Sequence, residues 1–162
     1  MFVMEDFDKF YNKALKFLSY RPRSEKEIRD RLQIKYQKSN LKDLSLIIGK
    51  VIQKLKDKKF INDEEFAKGW IEQRSKFKPR SLKLIKLELK YKGISEETIN
   101  NLQLTINDLE QAKKLVEKKM NRSRNKFGMT PEKLGRFLAS KGFDWDTIKK
   151  AIDPIKSQDG DF

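Results

Sequence analysis

Apolar residues recur along this chain at helical spacing, and capping residues or glycines separate one apolar run from the next. Residues 81–99 show this pattern most completely. Ser81 can cap a helix, because its hydroxyl can accept a hydrogen bond from a first-turn backbone N–H. Ile85 and Leu89 follow on one helical face, and Gly93 stands where the end of a helix favours a left-handed residue. The stretch therefore predicts a cap, a helix, a glycine stop and a second helix.

The same order of residues occurs three times. Each copy places apolar residues four and eight positions after a hydroxyl cap, and a lysine eleven positions after it. The copies are offset by 57 and 49 residues, a period typical of repeated supersecondary units that complete their cores against neighbours. The alternative is that unrelated amphipathic helices resemble one another. The three sets are Ser24, Ile28, Leu32 and Lys35; Ser81, Ile85, Leu89 and Lys92; and Thr130, Leu134, Leu138 and Lys141.

The chain as a whole is predicted to be all-α, with nine helices in three sets of three. No segment alternates apolar and polar residues at period two, so no strand is expected. At the helix ends, we expect Asp6 to cap the first helix and either Asn107 or Asp108 to cap the seventh. Pro154 is expected to close the ninth helix. The predicted boundaries are 1–61 for module 1, 62–106 for module 2, 107–155 for module 3 and 156–162 for a C-terminal tail.

The net charge of the chain indicates what kind of partner it binds. The 162 residues carry a formal net charge of +14, with 38% charged and 37% hydrophobic residues. Half of the excess lies in residues 110–141, which hold ten Lys or Arg and three Glu. A surplus of this size favours binding to a polyanion such as nucleic acid, or to an acidic protein surface. The alternative is a general bias of composition towards lysine.

Several function classes are excluded by composition. The chain has no Cys and no His, which removes disulfides, thiolate or imidazole metal ligands, and the usual serine and cysteine catalytic arrangements. Paired acidic residues lie where helices begin, and the helix dipole already accounts for them. We therefore predict no enzyme, no catalytic residue, no cofactor and no metal site. No apolar run approaches membrane-spanning length and the start lacks a basic signal segment, so no membrane partner and a cytoplasmic location are expected.

The turn between the first and second helix of each set is rich in Lys and Arg. If the modules stack in register, equivalent turns recur along one side and can follow a phosphate backbone or an acidic groove. The alternative is that helix C-termini attract basic residues through the dipole. Trp70 and Trp145 could stack on bases, but positions in the core or between modules are favoured. The candidate binding residues are Arg21 and Arg23; Lys76, Lys78 and Arg80; Arg122, Arg124 and Lys126; with Arg74, Lys83, Lys86 and Lys90 extending the surface.

Three segments of the chain resemble the RecX regulatory proteins of bacteria. They read Arg-Pro-Arg-Ser-Glu-Lys-Glu-Ile at 21–28, Phe-Ile-Asn-Asp-Glu-Glu-Phe-Ala at 60–67 and Leu-Lys-Tyr-Lys-Gly-Ile-Ser at 89–95. The resemblance implies three tandem three-helix repeats forming a curved, elongated array. It also implies a monomer that binds the RecA filament on single-stranded DNA and restrains strand exchange and ATPase activity in DNA repair, recombination and the SOS response. The third module departs most, because its turn at 121–131 is longer and lacks Pro-Arg-Ser.

Two other functions stay open on the sequence alone. Three-helix modules also serve as DNA readers, so the chain could bind DNA without sequence preference and without RecA. It could also be a structural scaffold whose composition is merely basic. Inhibition of RecA that saturates at one protein per several RecA subunits would favour the filament, whereas inhibition only on fully coated DNA would favour DNA binding.

Overall fold

The computed structural model describes residues 2–38, 43–102, 106–122 and 129–156. Within those ranges the chain forms helices and no strand, which confirms the all-α prediction. The helices follow one another in the predicted order. Their bounds are α1 Phe2–Tyr20, α2 Glu25–Tyr36, α3 Leu44–Asp57, α4 Asp63–Phe77, α5 Leu82–Tyr91, α6 Glu96–Asn101, α7 Asp108–Arg122, α8 Pro131–Ser140 and α9 Trp145–Lys156.

The hydroxyl caps of the repeat form as predicted. Ser24 Oγ accepts a bond of 3.2 Å from the backbone N–H of Glu27, whose carboxylate accepts in return from the N–H of Ser24. The hydroxyls of Ser81 and Thr130 cap α5 and α8 by accepting from the backbone N–H of Leu84 and of Lys133, without the return bond. Each hydroxyl satisfies a first-turn donor that has no partner inside its own helix. The three copies of the motif therefore start helices for one shared local reason.

Gly93 and Gly142 end α5 and α8 with φ angles of 83° and 86°, which confirms the predicted glycine stops. A left-handed residue there lets the next backbone N–H bond back to the last helical turn. The N–H of Ile94 donates to the carbonyl of Leu89 over 3.0 Å. Close packing also excludes a side chain there, because a Cβ on Gly142 would lie 2.6 Å from Ser81 Oγ. Glycine is required at both positions by conformation and by packing.

Two predicted helix ends are wrong. Asp6 does not cap α1, because the helix already begins at Phe2 and Asp6 lies inside it. No Gly or Pro precedes Asp6, and each further residue of a formed helix adds one hydrogen bond, so the helix extends past it. Pro154 does not close α9, which runs on to Lys156. The φ angle of proline fits a helix, and near the end of one its missing N–H sacrifices only a single bond.

The cap of α7 is now assigned between the two predicted candidates. Asn107 Oδ1 accepts from the backbone N–H of Glu110 over 3.2 Å, so Asn107 is the cap. The Asp108 carboxylate instead accepts from the N–H of Leu82, at the start of α5, over 2.8 Å. The sequence offered two similar capping residues in succession, and the second is used for a long-range contact.

The chain divides into two compact units, Met1–Gly69 with Leu89–Leu102, and Trp70–Glu88 with Gln103–Phe162. In the first unit, α1, α2 and α3 bury one apolar core. Phe10 lies in that core with its ring stacked on Tyr36, the two centroids 3.8 Å apart. The fully buried members are Phe10, Ala14, Ile28, Leu32, Val51 and Leu55.

In the second unit, α7, α8 and α9 enclose another core. Leu134 and Leu138, the two repeat positions of α8, are fully buried in it, with Ile148 and Ile152 from α9. Trp145 does not join them: it is 72% exposed, so of the two positions predicted for it, in the core or between modules, the core position is wrong. It stands at the first residue of α9, one turn before the first buried residue of that helix. The predicted module boundaries stay a prediction, because this division does not follow them.

Candidate functional site

A groove of about 420 Å³ opens on the second unit, where the end of α4, the side of α7 and the end of α8 meet. Its apolar lining comes from Phe77, Pro79, Leu115, Met129 and Phe137. The other described residues that line it are all basic: Lys78, Arg80, Lys118, Lys119, Arg122 and Lys141. An apolar floor inside a cationic rim is therefore the main feature of this surface.

Local contacts hold the groove in shape. Lys118 Nζ donates to the carbonyl of Phe77 over 3.4 Å, which joins α7 to the last turn of α4. The ammonium groups of Lys119 and Lys141 lie 5.1 and 5.4 Å from the centroid of the Phe137 ring. Cations at this distance from an aromatic face are attracted by its quadrupole. The rim thus stays close to the floor instead of extending freely into solvent.

The turn 78–81 is fixed to the far end of the groove by its backbone. The N–H of Ser81 donates to the carbonyl of Lys141 over 3.1 Å, and Ser81 is buried. Pro79 is buried as well, which keeps its ring on the floor. The Arg-Ser end of the second basic turn and the lysine after α8 are therefore held side by side by a hydrogen bond between segments 60 residues apart.

A carboxylate beneath the rim fixes the direction of Arg80. Glu88 accepts from Arg80 and, over 2.7 Å, from Arg74 Nε. It also accepts from the indole N–H of Trp70 over 2.9 Å, while the Arg74 guanidinium lies 4.3 Å from the Trp70 ring. Arg74 and Glu88 have side chains only 14% exposed. Arg74 is therefore a supporting residue in this structure, and Arg80 presents a rim position that Glu88 defines.

A second depression of about 450 Å³ shares Pro79, Lys118 and Arg122 with the groove. Lys76 and Lys114 add two further cations to it, and Glu117 is the acidic residue in its lining. Both lysines have carboxylate partners one turn away, since Lys76 pairs with Glu72 over 2.5 Å and Lys114 pairs with Glu110 over 2.7 Å. The cationic surface therefore continues from the groove along α7.

The predicted basic residues fall into separate groups. The structure brings four of them together at the groove and its neighbouring depression: Lys76, Lys78, Arg80 and Arg122. Of the three lysines on α5, Lys83 and Lys90 are exposed, Lys86 is half-buried, and none lines the groove. Lys90 pairs with Glu96 over 2.9 Å. Arg124 and Lys126 lie outside the described residues.

The first basic turn lies in the first unit and is engaged in structural contacts. Arg21 donates to both carboxylate oxygens of Glu27, and Arg23 Nε donates to the carbonyl of Phe17 over 3.0 Å. Burial alone would raise the pKa of Glu27, but hydrogen bonds from Arg21 and Lys92 and their charges lower it to about 2. These contacts bind the turn to its own helices, so Arg21 and Arg23 are less available to a partner than the sequence suggests.

Several residues at the groove were missed by sequence reasoning. They are Lys118, Lys119 and Lys141 on the rim, and Phe77, Met129 and Phe137 on the floor. A signal was present in the charge excess of 110–141, and in the i, i+4 spacing of Lys118 and Arg122, which places both on one face of α7. The apolar residues gave no such signal, because an amphipathic pattern does not distinguish a floor open to solvent from a closed core.

The chemistry of the groove is that of binding. A cationic rim attracts an anionic ligand, and aromatic and aliphatic side chains beneath it can receive an apolar side chain or a base. Across the described ranges, no group of three or more Asp and Glu residues is placed to hold a metal ion. Among the helices described, none combines the length and the apolar character that crossing a membrane requires.

Comparison with known proteins gives matches along most of the chain. Residues 11–37, 62–101 and 107–152 match the family models of the first, second and third three-helix domains of RecX. The regulatory protein RecX of Bacillus velezensis is 31% identical over 161 residues, covering 97% of this chain and 59% of that protein. That of Listeria welshimeri is 36% identical over 145 residues, covering 86% and 51%. The chain thus spans little more than half the length of these curated relatives.

Solved structures agree with these matches. The crystal structure of RecX from Lactobacillus salivarius is 30% identical, covers 94% of this chain and 98% of that chain, and superposes with a TM-score of 0.70. A second crystal structure, of a regulatory protein RecX, has a TM-score of 0.69 at 23% identity, and at that identity it supports the fold alone. The three-helix organisation predicted from the repeat is therefore found in experimental structures similar to this chain.

Proposed function

Because the chain belongs to the RecX family, we propose that it is a regulatory protein that binds the RecA filament on single-stranded DNA. In this proposal it restrains the strand exchange and ATPase activity of RecA during DNA repair and recombination. It acts as a monomer in the cytoplasm and catalyses no reaction of its own. Its partners are the filament and, directly or through the filament, nucleic acid.

The observation that carries the proposal is the composition of the groove. A nucleoprotein filament presents both a protein surface and a polyanion. The groove offers apolar area from Phe77, Leu115 and Phe137 next to six basic side chains. Interface cores use aromatic residues and Met together with Arg, whereas phosphate contacts alone need only cations. A ligand that is both anionic and partly apolar fits this combination best.

The positive charge of the rim would also attract an anionic ligand before contact is made. Opposite charge across an interface raises the association rate and selects the partner more than it raises affinity. With a net charge of +14, the chain would be drawn to the DNA of the filament from a distance, and the apolar floor would then add contacts that salt does not screen. This separates a filament regulator from a protein that binds bare DNA by charge alone.

The test reverses rim charges that form no ion pair with an acidic side chain in the described residues. Lys118 loses its bond of 3.4 Å to the carbonyl of Phe77, and thermal unfolding shows whether that loss changes stability. Lys78→Glu, Lys118→Glu and Arg122→Glu are combined in one variant. Arg80 is avoided because its reversal would place a second carboxylate against Glu88. The control combines Lys113→Glu, Lys149→Glu and Lys150→Glu, which make the same charge change at exposed positions of the same unit outside both depressions.

The readouts are RecA ATPase and strand exchange on single-stranded DNA, with thermal unfolding as the check of folding. We expect the rim variant to lose restraint of RecA while the control keeps most of it. Equal loss in both variants at matched stability would show that net charge alone acts. Wild-type protein that binds bare DNA at least as tightly as the filament at physiological salt would support the alternative, DNA binding without RecA.

A further inference from the structure

A row of cations on the first unit is distinct from the groove. Lys9, Lys13 and Lys16 follow one another on α1 at positions i, i+4 and i+7, which places them on one face of that helix. Arg31 and Lys35 occupy positions i and i+4 on α2. We call these five residues the α1–α2 strip. Lys35 is also the repeated lysine, eleven residues after the Ser24 cap.

Contacts with two aromatic rings show that four of the five cations, all except Lys16, converge between the two helices. One ring is Tyr36, at the end of α2, and the other is Phe17, in the last part of α1. Each ring has one cation from α1 and one from α2 near its face, so the two helices place their cations side by side. Lys9 and Lys35 Nζ lie 5.8 and 5.9 Å from the Tyr36 centroid, and Lys13 Nζ and Arg31 Cζ lie 5.5 and 5.4 Å from the Phe17 centroid.

The strip is a concentration of like charge. The charge of Lys35, then partial burial, and then the charges of Lys16 and Arg31 lower the pKa of Lys13. Among the side chains that the structure describes from Asp6 onwards, none forms an ion pair with any of the five cations. Other cations of the same unit do form such pairs: Lys26 pairs with Asp30 over 2.6 Å, and Lys56 with Glu25 over 3.0 Å.

Repulsion of this kind opposes folding and is relieved by an anion. The arrangement of the cations indicates which anion. Four of the five are lysines, whose ammonium groups bind phosphate as point charges, and Arg31 can bind phosphate through its planar fork. The α1 part of the strip extends over seven residues, or about 10 Å of helix, so it presents a line of charge. A phosphodiester backbone is also a line of charge.

An exposed aromatic residue continues the line. Tyr20 stands four residues after Lys16, at the last position of α1, and is 72% exposed. An exposed tyrosine beside a cationic row can stack on an unpaired base, and this contact tolerates any sequence. Single-stranded nucleic acid offers unstacked bases and a phosphate line together.

We infer that the α1–α2 strip binds the phosphodiester backbone of single-stranded nucleic acid, with Tyr20 placed to stack on a base. The inference rests on the proposed function, since the DNA strand of the filament is the ligand available there. It assigns the first unit a direct contact with the strand that is separate from the groove of the second unit. The test therefore uses bare oligothymidylate, without RecA, so that its failure is distinguishable from failure of the filament proposal.

The experiment measures binding of fluorescein-labelled oligothymidylate by anisotropy at a series of salt concentrations. Lys13→Gln and Lys35→Gln are combined in the strip variant, and Lys26→Gln and Lys56→Gln in a control with the same charge change on the same unit. Each phosphate contact of a single strand contributes about 0.7 to the slope of log affinity against log salt. We expect the strip variant to lower the slope by about 1.4, and the control to leave it nearly unchanged.

Thermal unfolding is the second measurement, and there the control variant, not the strip variant, is expected to lose stability. The strip variant removes like-charge repulsion and should melt at the same temperature as wild type or higher, whereas the control loses two ion pairs. Tyr20→Ala should weaken oligothymidylate binding without changing the salt slope. Equal changes of slope in the strip and control variants would overturn the inference. A strip variant that keeps oligothymidylate binding but loses binding to RecA would also overturn it, in favour of an acidic protein surface.

Discussion

The hydroxyl of Ser24 donates a hydrogen bond of 2.6 Å to the backbone carbonyl of Lys92, which lies 68 residues further along the chain. Ser24 caps α2, and Lys92 directly precedes the glycine stop of α5. The second copy of the repeat joins the corresponding residues through a different donor, because the backbone N–H of Ser81, not its hydroxyl, donates to the carbonyl of Lys141. The cap of one copy is thus bound to the helix end of the next.

An aspartate completes each junction. Asp63 Oδ1 accepts from the backbone N–H of Glu25, and Asp108 Oδ1 accepts from that of Leu82, both over 2.8 Å. Each aspartate is the first residue of its own helix, and each donor is the first N–H after a serine cap. Burial raises the pKa of both aspartates although the N–H bonds oppose the shift. The chain therefore uses the same aspartate contact at both junctions.

Ser24→Ala tests the junction. It removes the cap acceptor of α2 and the bond to Lys92 together, at a residue that is fully buried. Loss of a cap costs about 1 kcal/mol, and loss of the part-buried bond to the Lys92 carbonyl adds about 1 kcal/mol. Ser95→Ala, at an exposed cap, is the matched control and should cost about 1 kcal/mol alone. Equal losses in urea unfolding would show that the Lys92 bond contributes nothing.

Gly93→Ala should destabilise the protein by more than about 1 kcal/mol. Gly93 has a φ of 83°, and holding an alanine in this left-handed conformation already costs about 1 kcal/mol. A Cβ there would also lie 2.4 Å from Lys26 Cβ. Gly69→Ala is the control: it lies inside α4 with no other atom within 4 Å of the new Cβ, and should be neutral or stabilising. A melting temperature unchanged in Gly93→Ala would reject the glycine stop.

Glu27 should make stability depend on acid pH. Its folded pKa of about 2 lies below the ordinary value of 4.5, so its contribution is complete above about pH 4.5 and is lost as the pH falls towards 2. A shift of this size corresponds to at most about 3 kcal/mol at neutral pH. Glu27→Gln keeps a capping side chain but loses the charge. The difference in unfolding free energy between wild type and this variant should therefore shrink as the pH falls.

Glu64→Gln supplies the control for that pH dependence. It removes an ion pair of 2.6 Å with Lys68 in which both side chains are about 60% exposed. A surface pair of this kind contributes between about 0 and 1 kcal/mol. A pH-dependent difference as large for Glu64→Gln as for Glu27→Gln would contradict the special role of the Arg21 and Lys92 contacts.

Glu88→Ala should destabilise the second unit by about 3 kcal/mol, because it leaves Arg74 largely buried without its carboxylate and removes the acceptor of Trp70. Urea unfolding measures the loss, and tryptophan fluorescence should report the changed setting of Trp70. Glu72→Ala, which removes an exposed partner of Lys76, should cost less than about 1 kcal/mol. Similar losses for both would show that the Glu88 cluster does not support the groove.

The sequence by itself determined the helices, most of their ends and the repeat. As helix caps and a glycine stop, Ser24, Thr130 and Gly93 act through bonds to residues only a few positions away, so the chain order contains everything that this local role needs. The same locality explains the two errors at helix ends. Asp6 and Pro154 are local signals too, but each is weaker than the tendency of an adjoining helix to continue.

The tertiary structure alone decided which polar residues act at a distance. Asn107 and Asp108 are equal candidates for a cap in the sequence, and only the packing of α5 shows that Asp108 binds its first N–H. Arg74 and Lys118 are likewise both basic residues near helix ends, yet one is held by Glu88 and the other lines the groove. Whether a basic side chain is paired with a carboxylate or lines a surface groove depends on residues that are distant in the sequence. Helical periodicity contains no information about those distant residues.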